Sequence, residues 1–294
     1  MCPICFNSAE KLDRSIYYRC SYCNHEFITS LKNPSIVNEK LDPTLLKRWS
    51  LLENYKAQIV RRINPQRSLL IDVGSASGRF PYLMRSEFES VAGIEVNPEC
   101  RRFAVEVMSI PTYEAYENSP NGASIITFWH SLEHFPGDDL YKVLRFFRDT
   151  CKKDAFLVIA VPNNMSLQAK WLGSAYTYQD LNSHYHQFSI KALDILLSRS
   201  HFKRVHTFRS PIYSVFGWLQ GLLNLFNTQH NYAYYRLKRG QNIFTLVLYT
   251  GILDFYNALL MLVLAPIAII LTFLDIAFPE RSAVIVLSYQ PTNS

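Results

Sequence analysis

Leu69-Leu70-Ile71-Asp72-Val73-Gly74-Ser75-Ala76-Ser77-Gly78 is the most informative stretch of this chain. An apolar run ends in an acid, small residues follow at two-residue steps, and a helical stretch opens at Arg79. Such a pattern is a buried parallel strand feeding a tight turn, whose small side chains let a ligand lie against the backbone. A second strand, Ser90-Val91-Ala92-Gly93-Ile94-Glu95, ends in an acid 23 residues after Asp72. A doubly wound sheet puts a carboxylate there to accept hydrogen bonds from a ribose diol. The spacing is not the G-x-G-x-x-G of dehydrogenases.

Working outward, strands are expected near 69–74, 91–96, 111–115, 124–129, 156–161, 203–209 and 283–289. Helices are expected near 79–88, 98–108, 138–152 and 190–200. Strand–helix alternation with short loops implies an α/β fold with a parallel sheet wound on both faces. An apolar content of 49% over 294 residues is ample for a core, and the net charge of +6 is mild and scattered. Met1 leads straight into Cys2 and a polar segment, so no signal peptide fits and the catalytic region reads as cytosolic. The expected division is a small ribbon over 1–30, a helical connector over 31–67 with an amphipathic helix near 44–63, a core over 68–210, a hydrophobic helical insertion over 211–280, and a last strand with tail over 281–294.

Four of the six cysteines form two C-x-x-C pairs, Cys2-Pro3-Ile4-Cys5 and Cys20-Ser21-Tyr22-Cys23. Two such knuckles complete a tetrahedral four-thiolate zinc site, and four protein ligands leave no open position, so this zinc is structural. The alternative, cysteines that pair as disulfides, is disfavoured by a reducing cytosol. His25 reads as a surface residue, and Cys100 and Cys151 as core.

Asp72-Val73-Gly74-Ser75-Ala76-Ser77-Gly78 resembles D-x-G-x-G-x-G, motif I of the class I S-adenosylmethionine (SAM) methyltransferases, with Ala76 in place of the middle glycine. Trp129-His130-Ser131-Leu132-Glu133-His134 is similar to the "LEH" segment of small-molecule and ubiquinone-type members. Asp180 to Ser189 resembles their D-x-P-x-H-x-x-x-F-S segment, with Asn182 where proline is usual. The resemblance covers about residues 1–210 plus the final strand. It implies a Rossmann-like seven-stranded sheet of order 3-2-1-4-5-7-6 with strand 7 antiparallel. It also implies that Gly74, Ser75, Ala76 and Gly78 pass under the donor's methionine, that Asp72 shapes the turn, that Glu95 binds the ribose, and that backbone near Trp129 and His130 closes the pocket. Ala76 fits if its backbone angles stay outside the glycine region.

Methyl transfer is an in-line displacement, to which a protein contributes mainly by positioning. A hydroxyl acceptor is helped by a base of near-neutral pKa, which favours histidine. The candidates are His184 and His130, then His134 and His186. By similarity to ubiquinone O-methyltransferases, whose E-x-x-E-H segment looks metal-binding, His130, Glu133 and His134 form a possible chelate; the alternative is a helix start and pocket wall.

The C-terminal third departs from a plain methyltransferase. Phe255 to Leu274 are 20 residues without a charge, broken by Pro266, and Ile243 to Leu253 form another apolar run. Twenty residues just cross a hydrocarbon core, yet the chain must return for the strand at 283–289. A hairpin dipping into one leaflet, hinged near Gly251 or Pro266, satisfies both demands, with Pro211 to Phe226 lying on the same surface and Arg236, Lys238 and Arg239 meeting lipid phosphates. A buried cap or a dimer interface is the alternative. Three function classes follow. The first is a SAM-dependent methyltransferase acting on a small or lipid-linked acceptor, the second a ribosomal RNA or other nucleic-acid enzyme, and the third a non-catalytic membrane-attached relative. The Asn/Asp-Pro-Pro-aromatic segment is absent after the fourth strand and no basic, aromatic-interleaved surface is evident, which points away from nucleic acid.

Overall fold

The computed structural model describes residues 1–12, 16–31, 41–46, 50–63, 65–180, 182–226, 230–238 and 252–292. Three short strands open the chain: β1 (Ala9–Lys11), β2 (Tyr18–Cys20) and β3 (Glu26–Phe27). Two helices follow, α1 (Pro43–Leu46) and α2 (Leu51–Ile63), where one continuous helix was expected. The second has its own start signal. Ser50 stands three residues before Glu53, and its hydroxyl accepts the Glu53 N–H at 3.4 Å.

Alternation then begins with β4 (Leu69–Val73), α3 (Arg79–Met84), β5 (Ser90–Ile94), α4 (Pro98–Glu106), β6 (Thr112–Tyr113), β7 (Ile125–Trp129), α5 (Gly137–Thr150) and β8 (Phe156–Pro162). It continues through α6 (Leu167–Leu172), β9 (His186–Gln187), α7 (Ile190–Arg199), β10 (Phe202–Phe208), α8 (Pro211–Asn224), α9 (Tyr232–Lys238), α10 (Ile252–Ala277) and β11 (Val284–Pro291). Asn97 caps α4, accepting from the N–H groups of Glu99 and Cys100 with Pro98 at the first helical position.

Seven strands form one sheet in the order β10-β11-β8-β7-β4-β5-β6. Five of them, from β8 to β6, run parallel, while β11 is antiparallel to both neighbours. This is the expected 3-2-1-4-5-7-6 order. β4 is buried along its whole length, which is why it reads as an unbroken apolar run rather than an alternating one. Its side chains part between two cores: Leu69, Ile71 and Val73 face α5 and α7, and Leu70 faces α2 and α3.

The N-terminal strands join the first of these cores. β3 pairs antiparallel with β9, giving a second, four-stranded sheet β1-β2-β3-β9. His25, expected at the surface, is buried there: its Nε2 lies 2.9 Å from Nδ1 of His186. A two-residue strand that begins 161 residues further on covers it, and short-range patterning does not reveal such a partner. Cys100 is buried as expected, and Cys151 is half-buried at the end of α5.

The insertion packs on the opposite side. α8 lies along α10, and a buried carboxylate pins the pair: Oδ2 of Asp275 accepts from Gln168 Nε2 at 3.0 Å and from Trp218 Nε1 at 3.1 Å. α10 runs 26 residues without interruption through Pro266, so the hinge expected there is not formed. The other expected hinge, Gly251, and most of the run from Ile243 lie outside the described residues, as do Arg239 and the side chains of Arg236 and Lys238. Among the described residues α10 is the one helix long and apolar enough to cross a membrane. Leu259, Leu262, Val263, Ile270 and Phe273 are exposed on it.

Candidate active site

The turn after β4 is held by hydrogen bonds to its neighbouring strand. Gly74 and Ser75 donate their N–H groups to the Ile94 carbonyl at 2.8 and 3.0 Å. Gly74 (φ 76°) and Gly78 (φ 75°) occupy the left-handed region that glycine enters freely. A Cβ on Gly74 would stand 2.5 Å from that of Ser131, so the turn also touches the segment after β7. Ala76 departs from the expectation, with φ at 46° in the same left-handed region, a conformation costing an L-residue roughly 1–2 kcal/mol. Glu95 offsets this: Oε2 accepts the Ala76 N–H at 2.8 Å and Oε1 accepts the Asn97 N–H at 2.8 Å.

Asp72 does not reach the turn's amides through any hydrogen bond described. Its Oδ1 accepts from Thr127 Oγ1 on β7 at 2.6 Å. Burial pushes its carboxyl up to about 7, against the opposing pull of Lys56. That lysine, from α2, sits 5.7 Å from the Trp129 ring and 5.8 Å from Phe80. Sequence reading gave Lys56 no role, since nothing in an amphipathic helix marks the residue that faces the carboxyl ends of a remote sheet.

At those carboxyl ends, buried polar atoms without hydrogen-bond partners gather: Ser75 Oγ, Trp129 Nε1, His130 Nε2, Ser131 Oγ and Oε2 of Glu133. Buried polar groups are ordinarily paired, so a cluster of orphans here marks a place built to hold a polar ligand. The glycine turn, Glu95 and these atoms fit a nucleoside-bearing donor.

After β7, His130 carries φ 56°, a left-handed backbone of the kind that collects at functional sites. Its Nδ1 lies 3.5 Å from Oε1 of Glu133, and its ring stacks 5.8 Å from Tyr178 and 4.9 Å from Tyr213. Glu133, in a 3-10 turn over Leu132–His134, is fully buried. Burial alone would raise its carboxyl, but the His130 contact and the fields of His134 and His184 outweigh it and hold it near 2. His184 Nε2 stands 4.0 Å from the same Oε1, and burial lowers that imidazole to about 4. The expected trio of His130, Glu133 and His134 is thus arranged differently: Glu133 and His134 cluster with His184, within 4.8 Å of one another. His186 faces the N-terminal sheet instead. Asn182, which replaces proline, donates its N–H to Asp180 Oδ1 at 2.9 Å and so keeps the loop turned.

The four cysteines converge as expected. Cys2 and Cys23 sulfurs are 3.8 Å apart, Cys5 and Cys20 sulfurs 3.3 Å, and all four lie within 4.8 Å. Tetrahedral zinc with bonds of about 2.3 Å needs sulfurs roughly 3.8 Å apart, so the set fits.

A seven-stranded sheet with one antiparallel strand, a glycine turn after its first strand and a carboxylate after its second define the Rossmann-like methyltransferase class. Residues 48–207, more than half of the chain, match the family described as methyltransferase domain, and the chain belongs to it. Solved structures share the fold. A putative sarcosine dimethylglycine methyltransferase from Galdieria sulphuraria is 12% identical with TM-score 0.52, covering 82% of this chain and 85% of that one. Phosphoethanolamine N-methyltransferase 2 from Haemonchus contortus, solved with S-adenosylhomocysteine, is 11% identical with TM-score 0.51, over 82% and 53% of the two chains. The [4+2]-cyclase SpnF is 11% identical with TM-score 0.50, over 82% and 81%. No curated protein matches the chain.

Proposed function

We propose that this methyltransferase binds SAM on the turn from Gly74 to Gly78, with Glu95 on the ribose hydroxyls, and methylates a hydroxyl of a lipid-linked acceptor with His130 as general base. The observation that carries the chemistry is the His130–Glu133 pair. Glu133 faces Nδ1 at 3.5 Å while Nε2 is buried without a partner. An ionised carboxylate on Nδ1 keeps the proton there and leaves the Nε2 lone pair to receive one from the acceptor. Gly74 packs against Ser131, the residue after His130, so donor turn and base share one site. His184 is the weaker candidate: its Nδ1 is engaged by Gln187 at 3.3 Å, and burial reduces its basicity.

The lipid-linked acceptor rests on continuity between this site and the insertion. Tyr213, which touches His130, belongs to α8. The next residue, Ser214, accepts through its carbonyl from Gln168, which also bonds Asp275 of α10. The helix that walls the base therefore packs against the helix with the exposed apolar face. In this reading that face docks on the cytoplasmic side of a membrane, and the four thiolates hold structural zinc. SAM supplies the methyl group and a neutral thioether leaving group; the chain supplies position and a proton acceptor.

The test is incubation of purified protein with methyl-labelled SAM and a membrane lipid extract. Label should enter the organic phase with wild type and fall at least about a hundredfold with His130→Ala. Label that stays aqueous with wild type overturns the acceptor class. Undiminished transfer by His130→Ala overturns the base.

A further inference from the structure

We infer that the N-terminal four-cysteine sheet forms the back wall of the acceptor site, and that Tyr17 and Gln187 are positioning residues that fix the tautomer of His184. The observations form one chain of contacts. β3, which follows the second cysteine knuckle, pairs with β9, matching Glu26 with Gln187 and Phe27 with His186. Ile28 N–H donates to the Tyr185 carbonyl at 3.0 Å, and Ser189 Oγ donates to the Cys23 carbonyl at 2.6 Å. Tyr17, fully buried immediately before β2, donates its hydroxyl to the His184 carbonyl at 2.8 Å and is also bonded to Gln187. Gln187 Nε2 lies 3.3 Å from His184 Nδ1.

An amide N–H can only donate, so Gln187 makes Nδ1 the acceptor and assigns the ring proton to Nε2. That proton then points toward Glu133 at 4.0 Å, the carboxylate that also faces His130. Tyr185 N–H closes the circuit by donating to the Glu133 carbonyl at 2.9 Å. The other knuckle is bolted down as well: Tyr141 Oη and Arg199 Nη1 donate to the Ile4 carbonyl at 2.6 and 2.8 Å. Such anchoring suits a wall that must not move relative to α5 and α7.

The inference rests on the acid–base reading of Glu133, and its test is independent of methyl transfer. Protein labelled with 15N-histidine reports each imidazole tautomer by its ring nitrogen shifts, with His184→Gln assigning the resonance. Wild type should show His184 protonated at Nε2. Gln187→Leu and Tyr17→Phe should both give a mixed tautomer. Tyr17→Phe should also speed amide exchange of Tyr185 by about tenfold, the effect of one lost hydrogen bond of roughly 1.4 kcal/mol. S-adenosylhomocysteine affinity should not change, because the bonds of Tyr17 and Gln187 named above run to His184 and not to the turn from Gly74 to Gly78. A wild-type ring protonated at Nδ1 overturns the inference, as does an unchanged tautomer in both folded variants. If wild type fails to bind S-adenosylhomocysteine, the donor assignment falls while the tautomer result stands.

Discussion

Ala76 donates its backbone N–H to the Glu95 carboxylate at 2.8 Å. The acid at the end of the second strand thereby holds in place a residue whose own φ of 46° works against it. Glu95 serves the turn before it serves any ribose.

Replacing Glu95 by alanine should therefore weaken S-adenosylhomocysteine binding by roughly 2–4 kcal/mol, since hydrogen bonds to a charged group are worth about 1.5–3 kcal/mol each. Calorimetry decides the matter. No binding to wild type, or none lost in the variant, removes the donor assignment.

Ala76→Gly should raise stability. Relief of the left-handed strain is worth roughly 1–2 kcal/mol, and the greater freedom of glycine in the unfolded chain returns about 0.4–1 kcal/mol of it. The urea midpoint should rise with an unchanged m-value; a lower midpoint would show that the alanine methyl packs usefully.

Asp72 makes stability depend on pH in an unusual direction. Its folded pKa of about 7 lies above its ordinary value of 3.8, so the native state holds a proton that the unfolded chain has lost. Stability then falls as pH rises from about 4 to 7, by up to about 4 kcal/mol at roughly 1.4 kcal/mol per unit. Asp72→Asn keeps an acceptor for Thr127 and should unfold at a higher denaturant concentration than wild type at pH 8, with the two converging near pH 4. Parallel curves across that range would contradict the burial argument.

Cys20→Ser should release one zinc per chain and increase exchange at β3 and β9 without changing S-adenosylhomocysteine affinity. Elemental analysis far below one zinc in folded wild type would end the zinc reading.

If α10 docks on lipid, the protein should float with vesicles of phosphatidylcholine and phosphatidylglycerol and need detergent, not salt, for release. Burying half of the 255–274 side chains contributes on the order of 10 kcal/mol at roughly 25 cal/mol per Å2, while screening each basic residue removes only about 1 kcal/mol. Leu262 and Ile270, each 66% exposed, are the positions to charge. Leu262→Glu with Ile270→Glu should abolish flotation. Wild type that stays monomeric and off the vesicles without detergent favours the cap.

Most of the sheet was legible because β4, β5, β7, β8 and β11 carry their signal locally, as apolar runs; β6, two residues long, and β10, exposed along most of its length, carry less of it. The glycine turn after β4 was legible for the same reason. What escaped depends on contacts distant in sequence. β9 is two residues long and exists because β3 lies beside it, so His25 read as exposed. Tyr213 reaches His130 from an apolar helix in which no residue stands out. Ala76 was acceptable only outside the glycine region, and its left-handed backbone angle is not written in the sequence. His184 and His130 were equivalent as letters; Gln187 at one ring and an unpartnered Nε2 at the other separate them.

The placement of β11 governs the order in which the molecule can be assembled. It lies between β8 and β10 and is antiparallel to both, and among the described strands β10 pairs with no other. During synthesis the N-terminal sheet strands, the glycine turn and the apolar helix all leave the ribosome before the strand that joins β10 to the sheet. The exposed face of α10 is thus complete while the sheet is still open, so a bilayer or a chaperone can meet it first. The sheet then closes behind it.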